Sequence, residues 1–170
     1  MKICDTVNSK LYKNDRAILH SDCNCFYASV ECLLNPNIRD LPVAVSGDAE
    51  NRHGIILAKN EEAKKYNIKT GEAIWQAKKK CPQLLTVPAR LDVYKKFSDK
   101  VRRIYSNYTD MVEPFGLDEA WLDISEDYKN DALTIAKEIS QRIKDEIGIT
   151  VSIGVSFNKI FAKFGSDYKK

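Results

Sequence analysis

The chain has no long apolar run, and with 30% of its 170 residues charged it reads as a soluble globular protein without a transmembrane helix. Its first residues, Met1-Lys2-Ile3-Cys4-Asp5, lack the apolar segment of a secretory signal, so no export and a cytoplasmic location are expected. The five cysteines, Cys4, Cys23, Cys25, Cys32 and Cys81, are odd in number and nowhere spaced as CxxC. That argues for reduced thiols rather than for disulfides or a zinc site. Internal repeats and low-complexity segments are missing as well. What is present, 44% hydrophobic residues, suffices for one core and a small annex.

The net charge is only +3, but it is unevenly spread. Lys59 to Arg103 holds thirteen Lys or Arg against five Asp or Glu, whereas Asp110 to Gly148 holds eleven acids against four bases. A basic block beside an acidic one suits a protein that binds polyanions with one region and gathers cations with another; two solvated helix faces give the same pattern.

Residues 1–15 are polar and aperiodic and read as an N-terminal arm. Ala17 to Asp22 reads as a strand, and Cys25 to Leu34 as a helix with Phe26, Val30, Leu33 and Leu34 on one face and Ser21, Asp22 or Asn24 as candidate cap. Strands are expected at 42–46 and 54–58 around a polar loop, then two short lysine-rich helices at 60–66 and 73–81 and a short apolar run, Leu84 to Val87. Tyr94, Phe97, Val101, Ile104, Tyr105 and Tyr108 mark a helix over 91–109. A hairpin follows, Met111 to Phe115 and Glu119 to Ile124. Ala132, Ile135, Ala136, Ile139, Ile143 and Ile147 mark another helix, ahead of a strand at 150–156 and a helix at 158–168. The order predicts an α+β, palm-like architecture: a mostly antiparallel sheet with helices on one face and a small inserted helical subdomain.

Three carboxylates stand out. Asp22 closes an apolar run, and Asp118 and Glu119 sit side by side after Phe115-Gly116-Leu117. Acids at a strand end and a hairpin tip are hard oxygen donors for divalent cations. Two such metals, about 3.5–4 Å apart, clamp the attacking and leaving oxygens in phosphoryl or nucleotidyl transfer. Asp22 could equally cap the following helix, and Asp118 and Glu119 could be turn residues. Successive strand residues face opposite sides, so both acids serve one cluster only if the chain bends at Gly116-Leu117. Ala120, Leu122 and Ile124 read as the core face, Glu119, Trp121 and Asp123 as the other. Of the aromatics after Asp22, Phe26 reads as core; Tyr27, one position round, can line a cavity and stack under a sugar.

Ser-Asp-Cys-Asn-Cys-Phe-Tyr-Ala-Ser-Val-Glu (21–31) resembles the first motif of the Y-family, DinB/UmuC-type, translesion DNA polymerases. Leu-Asp-Glu-Ala-Trp-Leu-Asp (117–123) resembles their second and Gly-Val-Ser-Phe-Asn-Lys-Ile-Phe-Ala-Lys-Phe-Gly-Ser-Asp (154–167) their third, with Ala-Lys-Lys-Tyr-Asn-Ile-Lys-Thr-Gly (63–71) in support. The resemblance implies low-fidelity, template-directed DNA nucleotidyl transfer in translesion synthesis and DNA repair. By it, Asp22, Asp118 and Glu119, with the Cys23 carbonyl, would hold two Mg²⁺ ions, with Mn²⁺ as the substitute. Primer–template DNA and a dNTP would be the substrates, with Phe26, Tyr27, Lys64 and Lys159 at the nucleotide. Tyr27 matches the steric gate against a ribose 2′-hydroxyl, and both lysines match triphosphate contacts; either lysine could instead be a solvated surface residue.

The chain departs from the pattern in places. Lys64 stands where arginine is common, Asn24 where aspartate is frequent, and Glu61 where a phosphate-contacting tyrosine is usual, so that Asn60 or Lys59 becomes a candidate for that role. The resemblance covers a palm at 16–170 with fingers inserted at about 47–90. It does not extend to the thumb, the little finger or the tail that meets a sliding clamp, so weak or no activity of this portion alone is expected. Two other readings compete: a non-catalytic palm-fold remnant or partner-binding module, and a palm-fold nucleotide cyclase, which the Asn158-Lys159 and Phe26-Tyr27 steps disfavour.

Overall fold

The computed structural model describes residues 16–47, 54–128 and 131–168; the expected N-terminal arm and most of the 47–53 loop lie outside them. Numbered along the chain, the strands are β1 (Ile18–Cys23), β2 (Val43–Ser46), β3 (Ile56–Lys59), β4 (Leu85–Pro88), β5 (Val112–Phe115), β6 (Glu119–Asp123) and β7 (Val151–Ser156). The helices are α1 (Phe26–Leu34), α2 (Glu61–Lys64), α3 (Ile74–Lys80), α4 (Leu91–Tyr105), α5 (Ala132–Ile147) and α6 (Lys159–Asp167). The chain forms two compact units, Met1–Asn24 with Lys95–Lys170, and Cys25–Tyr94.

The first unit is built on an antiparallel sheet of order β5-β6-β1-β7. Strand alternation sorts its residues cleanly. Leu19, Ala120, Leu122, Val151, Ile153 and Val155 are buried on one face, where Tyr105 of α4 donates its hydroxyl to Ser21 Oγ at 2.8 Å. Ile135, Ala136, Ile139 and Ile143 bury the apolar stripe of α5, which ends at Gly148 with a left-handed φ of 87°. The opposite face carries His20, Asp22, Glu119, Trp121, Ser152 and Gly154. Here α6 lies across β7 and β1, so the expected α+β fold also carries a helix on the second face. A Cβ on Gly154 would stand 1.9 Å from the Ala162 carbonyl oxygen and 2.5 Å from the Ser166 nitrogen, which is why only glycine fits beneath this helix. Asn158 caps α6, its side chain accepting from the Phe161 amide at 2.9 Å.

The second unit has its own sheet, β3-β2-β4, with β2 antiparallel to β3 and parallel to β4. Ala44, Ile56, Ala63, Ile68, Ala77, Cys81 and Leu84 form its main core. The run Leu84 to Val87 thus supplies a core residue and most of a strand. Asn60 is buried and fully used: its oxygen accepts from Val43 and Ala63 amides and its amide donates to Leu41. None of the three expected caps occupies the N-cap position of α1. Cys25 occupies that position with φ 50° and makes no side-chain capping bond, while Asn24 is held by Thr150 and Ser152.

Candidate active site

The backbone brings the three acids to one corner of the first unit. Asp22 lies directly opposite Glu119 in the β1–β6 ladder, and the next amide, Cys23, donates to the Asp118 carbonyl at 2.9 Å. Directly paired residues project on the same face, so Asp22 and Glu119 are side by side. Asp118 is the last residue of the turn rather than the first of β6, and Gly116 within that turn has φ 72°. Arg102 of α4 ties the turn down by donating to the Gly116 carbonyl at 2.6 Å. The bend required at Gly116-Leu117 is therefore present.

The carboxylates themselves do not close on one point. Among the described residues no three Asp, Glu, His or Cys side chains stand together as a metal-binding group. Glu119 Oε2 pairs with Lys163 Nζ of α6 and lies 3.1 Å from His20 Nε2. Burial opposes the charge of Lys163, yet the carboxylates of Glu119, Asp167 and Asp22 outweigh it and raise the amine above its usual range. His20 is completely buried. That burial, with the neighbouring ammonium of Lys163, holds its imidazole down at about 4 against the pull of Glu119 and Asp167, so the ring is neutral near pH 7.

The donor chemistry fits a hard divalent ion: Asp22 and Glu119 are paired on one face, and Asp118 is held one hydrogen bond away. Cys23 is buried in β1. Lys159 starts α6, where it is exposed, pairs with Glu113 and lies over the Trp121 ring at 5.6 Å. The Trp121 indole donates to the Lys159 carbonyl at 3.2 Å and so ties the start of the helix to β6.

In the second unit, Tyr27 stacks on Tyr94, with ring centroids 4.3 Å apart and planes 12° from parallel. Phe26 is buried as expected, its ring 5.6 Å from that of Tyr27. Tyr94 is itself fixed: its hydroxyl donates to Glu31 Oε1 at 2.7 Å, and Arg90 grips both oxygens of Glu31. Burial, with the Glu31 carboxylate beside it, pushes the Tyr94 phenol up. Lys64 pairs with Glu61 at 2.9 Å, so the acid at the usual tyrosine position is its counter-ion. Of the two candidates for that missing tyrosine, Asn60 is committed to capping α2, and Lys59 donates to Thr70 at 3.1 Å.

His20, Lys163, Ser166 and Arg102 were not singled out from the sequence. Lys163 alone left a trace, four residues after Lys159 and hence one turn along the same helix.

A family model, IMS, described as the impB/mucB/samB family, matches residues 21–167. The chain belongs to this family. With that membership, the likeness of the three motifs to Y-family, DinB-type polymerases stands. The DNA polymerase IV of Acetivibrio thermocellus is 61% identical over 157 residues, covering 91% of this chain and 39% of that protein. That of Bacteroides fragilis is 45% identical over 159 residues, covering 92% and 43%. Among solved structures, DinB from Sulfolobus solfataricus superposes with a TM-score of 0.85 at 32% identity, over 91% of this chain and 46% of that one. An insertion ternary complex of Dbh DNA polymerase gives 0.86 at 31%, with the same coverage. The chain spans less than half the length of these relatives. No helix among its described residues is long and apolar enough to cross a membrane.

Proposed function

We propose that this chain is the palm-and-fingers portion of a DNA-directed DNA polymerase that inserts nucleotides opposite damaged templates, acting on primer–template DNA and a dNTP. The observation that carries the reading is the placement of Asp22 opposite Glu119, with Asp118 joined to the same corner, in a chain matched to the family over residues 21–167. Asp22, Asp118, Glu119 and the Cys23 carbonyl are assigned to two Mg²⁺ ions. Bound there, the ions would supply a lowered pKa for a primer hydroxyl and neutralisation of triphosphate charge.

The chain's own residues have distinct tasks. Tyr27, backed by Tyr94 and flanked by Phe26, excludes a 2′-hydroxyl. Lys64 and Lys159 exchange their carboxylate partners, Glu61 and Glu113, for triphosphate oxygens. Lys64 brings charge without the bidentate fork of arginine. The palm is assigned to residues 16–170, with the fingers as an insert at about 47–90. Phosphate contacts dominate non-specific DNA affinity, so a chain of this length should extend primers weakly.

The test is primer extension by the 170-residue chain and by a chimaera that continues it with the remaining segment of the Acetivibrio thermocellus polymerase. The chimaera should incorporate dNTPs with Mg²⁺, and Asp118→Ala or Glu119→Ala should abolish incorporation without unfolding. Normal turnover in either variant ends the metal assignment. A second reading, a non-catalytic palm module, is favoured by the ion pair of Lys163 with Glu119; a folded chimaera with no incorporation would select it.

A further inference from the structure

A fully buried imidazole is costly unless both nitrogens find partners, and an apolar ring would fill the same space without that demand. His20 occupies such a place. It lies in β1 between Trp121 and Gly154 of the flanking strands, on the face that carries Asp22 and Glu119. Trp121 covers the ring at a centroid distance of 4.8 Å. Nδ1 is 2.7 Å from Ser166 Oγ of α6. Nε2 is buried and has no hydrogen-bond partner among the described residues, while Glu119 Oε2 stands 3.1 Å away.

We propose that His20 is a positioning residue for the Glu119 carboxylate, donating from Nε2–H while Ser166 holds the ring in that tautomer. The inference rests on the assignment of Glu119 as a metal ligand. Two directions are open to the single Ser166 hydroxyl hydrogen: His20 Nδ1, or the Lys163 carbonyl at 2.8 Å. If the hydrogen went to the carbonyl, Nδ1 would have to donate to Ser166, and Nε2 would turn a lone pair on a carboxylate oxygen. Electrostatics at the far side of the ring therefore selects the chain Ser166 O–H to Nδ1, then Nε2–H to Glu119 Oε2. Lys163 grips the same oxygen, so Oε1 is the oxygen offered to a metal. Lys163 is partly exposed and long, whereas His20 is completely buried in β1 against Ser166 of α6. The imidazole thus sets the direction of the carboxylate, as an outer partner does for a metal ligand.

The experiment uses the 170-residue chain and Mn²⁺ alone at pH 7.5. Long-range ¹H–¹⁵N correlation of its two histidines, with His20 assigned by its loss in His20→Gln, should show Nδ1 unprotonated and Nε2 protonated; the reverse tautomer overturns the proposal. Mn²⁺ affinity measured by electron paramagnetic resonance should fall about 10–100-fold in His20→Phe, recover most of that loss in His20→Gln, and fall several-fold in Ser166→Ala. Should His20→Phe fail to fold, the tautomer and Ser166→Ala decide alone, an unchanged affinity in the latter overturning the proposal. Asp22→Asn separates the two levels. If it weakens Mn²⁺ binding and folded His20→Phe does not, the positioning role fails and the metal assignment survives. If Asp22→Asn has no effect, both fall.

Discussion

Gly154 lies so close beneath Ala162 that a single methyl group on the glycine would meet the alanine's carbonyl oxygen at 1.9 Å. The obstacle is helix backbone, which cannot rotate aside as a side chain would. Gly154→Ala should therefore destabilise the protein by about 3 kcal/mol or more, the upper range for overpacking. Urea denaturation followed by circular dichroism measures this; a loss under about 1 kcal/mol would mean that α6 slides freely on its sheet.

Stability should also depend on pH through His20. Its folded-state value, about 4, lies below the ordinary 6.5, so between these values the unfolded chain binds more protons than the folded one. The contribution is complete above pH 6.5 and fades as pH falls toward 4. Between pH 7 and pH 5 the unfolding free energy should drop by about 2 kcal/mol from this group. The charges facing the ring are Glu119, Lys163 and Asp167. Unfolding free energies from urea titrations of the parent at the two pH values should differ by this amount more than those of His20→Gln.

Lys64 shares its charge with Glu61 on a partly exposed helix. If Lys64 contacts a triphosphate, Glu61→Gln should tighten binding of a fluorescent dNTP analogue by about 2–5-fold at low salt, the scale of one exposed ion pair. The gain should vanish near 0.5 M salt, where screening is strong. Equal affinities at low salt would remove Lys64 from the nucleotide site.

The Tyr27 ring is held flat on Tyr94. In the chimaera with the Acetivibrio segment, Tyr27→Ala should raise ribonucleotide relative to deoxynucleotide incorporation by about tenfold or more, since a steric rejection is being lifted. Competition assays with labelled rNTP and dNTP measure the ratio. Unchanged sugar discrimination argues against the gate.

Much of this architecture was legible because it rests on local periodicity. The alternation of Ala120, Leu122 and Ile124 against Glu119, Trp121 and Asp123 marks both faces of β6, and the isoleucines of α5 mark its buried stripe. Local pattern fails where a distant residue takes the group in question. Asn24 does not cap α1 because Thr150 and Ser152 hold it, and Ser21 is engaged by Tyr105. The parallel pairing of β4 with β2 joins segments 42 residues apart, Val43 with Leu85, which no short window contains. The support of Glu119 is harder still, since His20 and Ser166 meet across 146 residues. The acids themselves were visible as a motif; the residues that stand against the Glu119 carboxylate, His20 and Lys163, were not.

Lys159, Lys163 and Ser166 ride on one rod, seated on bare glycine and pinned at its head by Asn158 and Trp121. Any lesion that unseats the rod would displace all three by the same step. A distant packing defect could then imitate the combined loss of triphosphate grip and carboxylate aim, and a kinetic assay alone would mistake bad carpentry for bad chemistry.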